Sequence, residues 1–302
     1  MTAISKSEPH RPRAHLLQLS PEVAAAIAAG RPVVALETSI VGQGLPAPYN
    51  LRAARDSEAA IREEGAVPAT VGVLDGRLRV GLGDAELERI AAGAIKVSAR
   101  DLGPTLARGA VGATTVAATM RAAAMAGIHF FATGGIGGVH RGHPEDQSAD
   151  LVELGRTPVA VFCAGAKIIL DLRLTLERLE SLSVPVLGYG CDELPAFYTK
   201  HSGCPIGTRV DGPEEAAAVL KAVWQTGGRG VVVAIPPPGE LEGADGLVER
   251  AVRELADVAG PELTPRLLAR VAELSGGRSL ELNVDLVVNN ARVAARVAAL
   301  YY

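Results

Sequence analysis

At 302 residues the chain can bury one large core, and 48% apolar with only 21% charged residues excludes a disordered polymer. A net charge of -4, with both signs interspersed and no basic stripe carrying aromatics, argues against a nucleic acid polymer as partner. Three cysteines without CxxC spacing give neither a disulfide framework nor a zinc site, and no apolar run reaches membrane-spanning length. The expectation is a cytoplasmic enzyme that does not bind a membrane.

Residues 1–14 read as a mobile arm and residues 15–302 as a single α/β catalytic domain. Ser20-Pro21 supplies a cap and an N1 proline for a helix to Ala29. Val33–Leu36 reads as a buried strand, followed at once by Glu37, an acid that is costly there unless paired or used. The Gly/Pro-rich run from Gly42 to Asn50 predicts irregular structure, with Asn50 capping a helix to about Glu64. Asp75-Gly76 between Ala69–Leu74 and Arg77–Val80 predicts a hairpin. Asp84 reads as the cap of a short helix, and Lys96 and Arg100 precede a small-residue loop. Gly112-Ala113-Thr114-Thr115 reads as the start of a helix to Ala126, either capped by Thr114 or holding a phosphate on its free N–H groups.

The stretch from Phe130 to Asp171 is the densest in chemistry. A strand ending at Ala132 runs into Thr133 and Gly134-Gly135-Ile136-Gly137-Gly138, where glycines bring backbone N–H groups close to a ligand. A polar loop follows, with His140, His143, Glu145, Asp146, Ser148 and Asp150. A second strand, Val159–Cys163, ends in Ala164-Gly165-Ala166, and Lys167 reads as opening the next helix. In open α/β sheets ligands sit beyond the carboxyl ends of strands. The remaining elements are helices at Leu172–Leu182 and Pro213–Gln225, strands at Val184–Gly188 and Gly230–Ile235, and three C-terminal helices, the last from about Leu280 to Tyr301. Asn289-Asn290 inside that last helix is better explained by a hydrogen-bonding role than by solvation.

The residues alone point to a phosphorylated-sugar enzyme. Lys167 can form an imine with a sugar carbon or neutralise a phosphate, and Glu37 can act as a general acid. Asp146, Glu145 and Asp150 offer oxygen ligands for Mg²⁺ or Mn²⁺, although by spacing alone a solvated loop explains them better. A sugar or nucleoside kinase would use similar parts, but GxxxxGK[ST] is absent.

Taken together, ALETSIVGQGLPAPYN, GAVPATVGVLDGRLRVGL, KVSARDL, GATTVAATM, FFATGGIGGVHRG, SADL and CAGAKIILDL resemble the pseudouridine-5'-phosphate glycosidases over nearly the whole chain. The resemblance implies a three-layer α/β/α sandwich around a mostly parallel mixed sheet, assembled as a homotrimer. It implies reversible cleavage of pseudouridine 5'-phosphate to uracil and ribose 5-phosphate, with the sugar held on a lysine. By position, Lys167 matches the covalent lysine and Glu37 the proton donor. Lys96, Val116, Ser148, Ala149 and Asp150 match substrate-contacting positions, with Thr114 and His140 beside them. Asn290 matches an active-site asparagine, and Asp146 the ligand of Mn²⁺, for which Mg²⁺ could substitute. Residues 140–148 form a slightly shorter segment than the family pattern, which keeps Glu145 as the alternative ligand.

Overall fold

A computed structural model describes residues 16–255 and 263–302, without the side chains of residues 263–265; the expected N-terminal arm lies outside the described residues. The first half runs β1 (Leu17–Leu19), α1 (Pro21–Ala28), β2 (Val33–Leu36), a π-helical turn (Ile40–Gly44), α2 (Tyr49–Glu63), β3 (Val67–Leu74), β4 (Arg77–Val80) and α3 (Asp84–Ala91). It continues with β5 (Ile95–Val97), α4 (Leu102–Arg108), β6 (Gly112–Thr114), α5 (Val116–Ala126) and β7 (Phe130–Ala132). Then come β8 (Val139–His140), β9 (His143–Gln147), α6 (Ala149–Leu154), β10 (Ala160–Cys163), β11 (Leu170–Asp171) and α7 (Leu172–Ser181). The chain closes with β12 (Val186–Tyr189), β13 (Thr208–Val210), α8 (Pro213–Gln225), β14 (Val231–Ala234), α9 (Ala244–Glu254), α10 (Leu263–Leu274) and α11 (Arg278–Tyr301).

Eleven strands form one mixed sheet, ordered β1-β4-β3-β2-β7-β10-β14-β12-β13, with β6 and β5 branching from β3. From β3 through β13 along that order all pairs are parallel. Successive side chains of a strand face opposite ways, so the continuous apolar strands feed two cores. Val33, Ala35, Phe131, Val161 and Val232 pack on the face covered by α1, α5, α6 and α9. Val34, Leu36, Phe130, Phe162 and Val233 pack under α8 and α11. This is the expected three-layer arrangement.

The Asp75-Gly76 hairpin forms as expected, with both residues at positive φ (53° and 69°), which the paired strands require of a tight turn. Several local expectations are corrected. Asn50 is not a cap: it lies inside α2, and its amide donates to Val41 O at 3.0 Å, tying down the preceding turn. Asp84 is the first residue of α3 rather than its cap, and Glu86 satisfies the N–H of Gly83. Gly112–Thr114 is a strand, because β5 and β3 give its backbone partners, and α5 begins only at Val116 behind Thr115. The polar run after His140 is not a loop but the hairpin β8–β9, which β11 joins in a small antiparallel sheet. Lys167 does not open a helix: it stands in the turn before β11, and α7 starts after Asp171, whose carboxylate caps it.

Candidate active site

Strands β2, β7 and β10 are neighbours in the sheet and run parallel, so their carboxyl ends lie side by side. Leu36 pairs with Ala132, and Ala132 with Phe162; Glu37, Thr133 and the Cys163–Lys167 turn therefore emerge together. The glycine loop and the lysine turn are then joined by backbone bonds: Ala164 N to Gly134 O (2.8 Å), Ile136 N to Gly165 O (3.1 Å) and Lys167 N to Ile136 O (3.1 Å). Gly165 is required for this approach. Its φ is +78°, and a Cβ there would fall 2.0 Å from Pro195 O. Lys167 is half-buried. Beyond it, the Arg141 guanidinium donates to the carbonyls of Ile168 (2.8 Å) and Leu170 (3.0 Å), fastening the turn to the β8–β9 hairpin.

Glu37 is 9% exposed. Its Oε1 accepts from Thr133 Oγ1 and its Oε2 from Ser39 Oγ. Burial pushes its pKa above the usual carboxylate range, against the pull of the Lys167 charge and the two hydroxyls, with Asp150 adding to the rise. Much of that burial is apolar: Leu36, Ala53, Ala54, Ala132 and Val287 line a small cavity that ends at Glu37 and Thr133. The Lys96 pKa is lowered, first by partial desolvation and then by Lys167, while Asp150 and Glu37 counteract. The Lys96 side chain still reaches solvent. Two lysines and two carboxylates thus share one electrostatic neighbourhood.

Asp150, 6% exposed, bridges two elements: Oδ1 accepts from Ala117 N in the first turn of α5 (2.9 Å) and Oδ2 from Gly137 N (2.8 Å). At Ala117 the N-terminus of α5 therefore meets a carboxylate of the protein itself. Val116, buried, begins α5, while Ser148 caps α6 through Asp150 N and Ala149 follows on its exposed side. Thr114 is neither a cap nor open to a ligand through its hydroxyl, which is fully buried and donates to Val71 O at 2.8 Å.

Of the asparagine pair, Asn290 faces inward, with no exposed surface; its Nδ2 donates to Thr133 O at 2.8 Å, and its Oδ1 has no partner. His140 is half-buried at the base of the hairpin, whereas Asp146 and Glu145 are exposed on β9, Glu145 beside His143. Among the described residues no group of three His, Cys, Asp or Glu side chains is placed to hold a metal ion. The structure thus gathers Glu37, Lys96, Lys167, Asp150 and Asn290, and leaves Asp146 exposed on β9. Sequence reasoning does not single out Ser39 or Thr133; the available signal is that both hydroxyls flank Glu37, one two residues on and one at the end of the paired strand.

A family model described as Indigoidine synthase A like protein matches residues 22–300. A curated relative from Deinococcus radiodurans named pseudouridine-5'-phosphate glycosidase is 53% identical, over 98% of this chain and 98% of its own. One of the same name from Nocardioides sp. is 52% identical, over 95% and 97%. Among solved structures, the prealnumycin C-glycosynthase AlnA in complex with ribulose 5-phosphate superposes with a TM-score of 0.87 at 40% identity, covering 96% of this chain and 98% of that one. An indigoidine synthase A-like protein from Thermotoga maritima gives 0.88 at 32% identity, covering 97% and 99%.

Proposed function

The chain belongs to the pseudouridine-5'-phosphate glycosidase family, and on that premise we propose that it reversibly cleaves the C–C glycosidic bond of pseudouridine 5'-phosphate to uracil and ribose 5-phosphate. The observation that carries the reading is that Glu37 and the Lys167 turn leave the carboxyl ends of β2 and β10 on either side of β7, with the lysine charge acting on a buried carboxyl. A carbon leaving group needs both partners. The furanose opens when the C1′–O4′ bond breaks, O4′ taking its electron pair and the proton that uracil N1 gives up, so that C1′ becomes doubly bonded to C5. The Lys167 amine then adds to C1′, its proton returning to N1 and the C1′=C5 pair returning to the pyrimidine ring. Glu37 delivers a proton to uracil C5; the C1′–C5 bond then breaks with its electron pair going to the pyrimidine, leaving C1′ as an iminium on nitrogen. Water hydrolyses that iminium to ribose 5-phosphate and returns the free amine. Run backwards, Glu37 receives the proton.

Lys96, with Ser148, Ala149 and Asp150, would contact the sugar phosphate, while Val116 would pack against it and Asn290 would hold the strand end. Thr114 would act by holding the strand end beside them through its bonds to Thr38, and His140 from the hairpin base. The exposed Asp146 offers one carboxylate, a donor set that fits Mn²⁺, or Mg²⁺, keeping most of its waters and not an all-protein cage. Such an ion would add positive charge beside an anionic substrate. A homotrimer in the cytoplasm completes the reading, and light scattering on the eluting protein tests the oligomer. The activity is tested by incubating ribose 5-phosphate, uracil and Mn²⁺ with the protein. Formation of pseudouridine 5'-phosphate is expected; its absence, with the reverse cleavage also absent, overturns the proposal.

A further inference from the structure

Glu37 is bracketed by hydroxyls. Each carboxyl oxygen accepts from one: Oε2 from Ser39 Oγ and Oε1 from Thr133 Oγ1. The two donors come from different elements and differ in surroundings. Ser39 stands at the head of the π-helical turn and is half-buried. Thr133 is 2% exposed and is held from two further sides. Its N–H donates to Phe162 O on β10 (3.0 Å), and its carbonyl accepts from Asn290 Nδ2 on α11 (2.8 Å). The hydroxyl that meets Oε1 therefore belongs to a residue that cannot shift without disturbing β10 and α11.

A carboxylate presents about four lone-pair sites, and the two hydroxyls occupy one on each oxygen. They leave the other sites free for a proton in transit while fixing the plane of the group. Proton transfer to carbon depends on that fixation, because the acid must lie within hydrogen-bond reach of one atom in one orientation. We propose that Thr133 and Ser39 are positioning residues for Glu37, the buried Thr133 setting the plane of its carboxyl group through Oε1 and the half-buried Ser39 holding Oε2. This rests on the reading of Glu37 as the proton-transferring group.

Any hydroxyl that donates to the carboxylate shifts its pH response. A positioning hydroxyl also sets kcat on the pH plateau, where Glu37 already carries the protonation state the reaction needs. The charged groups facing Glu37 are Lys167 from the turn after β10, Asp150 from α6 and, next to both, Lys96 from β5. On the side of α2 and α11 the lining residues are Ala53, Ala54, Ser57 and Val287, none of which titrates. The hydroxyls favour the ionised carboxylate, so removing one keeps the proton on Glu37 to higher pH. In cleavage, where Glu37 gives the proton, the high-pH limb of kcat moves up. In synthesis, where it takes the proton, the low-pH limb moves up by the same amount.

The test is the kinetics of Thr133→Val, Thr133→Ser and Ser39→Ala in both directions across pH, with Tm recorded for each. Thr133→Val is expected to lower kcat by roughly ten- to a hundredfold, with KM nearly unchanged and both limbs displaced upward. Thr133→Ser restores the hydroxyl and should recover most of kcat and the original limbs. Placed in Glu37→Gln protein, Thr133→Val should cost nothing further in kcat, since there is no proton left to place. Unmoved limbs, or a Thr133→Ser protein as poor as Thr133→Val, would overturn the proposal. If Thr133→Val fails to fold, the half-buried Ser39→Ala takes its place: a lowered plateau kcat with displaced limbs supports the proposal, and an unchanged plateau kcat or unmoved limbs overturn it. Full activity in Glu37→Gln alone would instead remove the reading of Glu37 on which the proposal rests.

Discussion

Lys167 and Lys96 lie in one neighbourhood, and either amine could in principle attack a sugar carbon. Their attachment separates them. Lys167 projects from a turn whose backbone is bonded to the glycine loop and whose far side is fastened by Arg141. Lys96 projects from the short branch strand β5 and reaches solvent. A covalent step needs the fixed amine, and a phosphate contact tolerates one that reaches solvent. Lys167→Ala should therefore abolish turnover while leaving Tm within a few degrees of the parent, and borohydride with ribose 5-phosphate should trap an adduct on Lys167. Recovery of the adduct on Lys96 by peptide mass mapping would reverse the assignment. Lys96→Ala should mainly raise KM for the sugar phosphate.

At the scale of elements, the site depends on three segments that touch through backbone N–H groups: the glycine loop, the first turn of α5 and α6. Gly137 is the point where they meet, because its N–H binds Asp150 and a Cβ there would lie 2.3 Å from Ser148 Oγ and 2.9 Å from Asp150 Oδ2. Gly137→Ala should push α6 outward and cost on the order of 10²-fold in kcat/KM, with helix content by circular dichroism unchanged. An active alanine variant would show that Asp150 need not sit where it does. The β8–β9 hairpin makes a separate prediction. A single exposed carboxylate exchanges metal readily, so chelator should remove activity and Mn²⁺ restore it. Asp146→Asn should raise the Mn²⁺ needed for half activity while Glu145→Gln changes it little; the reverse result moves the ligand by one position. How far these elements can be read from sequence follows from what determines each. The apolar runs of β2, β10 and β14 and the Asp75-Gly76 turn are local signals, and they are legible. Strands β1, β5 and β13 are three residues each and exist because a neighbour offers backbone partners, so no local pattern marks them. The same holds for the Gly112–Thr114 strand and the hairpin after His140. Among site residues, Glu37 and Lys167 stand out as charges after buried strands. Ser39 and Thr133 do not, because their role is set by the register between β2 and β7.

Across the whole molecule, the site draws on residues far apart in the chain, and the C-terminal helix closes it. Arg292 and Arg296 of α11 pair with Glu63 and Glu64 at the end of α2, which holds Asn290 against Thr133. These pairs are largely exposed and contribute modestly; the buried apolar face of α11 carries most of the docking. Within this rigid frame Glu37 is the element that folding does not favour. Its pKa is raised in the folded protein, chiefly by burial, so the folded state binds a proton there more tightly than the unfolded chain does. Its contribution to stability is therefore fully present below the unfolded carboxyl pKa of about 4.3 and is lost as pH rises through the higher folded value. Wherever Glu37 is ionised its charge is a cost in these apolar surroundings, which the proposed proton transfer would offset in function, not in stability. Glu37→Gln keeps the shape and removes the charge. Its Tm should exceed that of the parent above the folded carboxyl pKa, and the gap should narrow as pH falls through that value. A gap that stays constant across that range would mean the glutamate is not carrying its charge at a cost, and that its hydroxyl and lysine partners compensate burial in full.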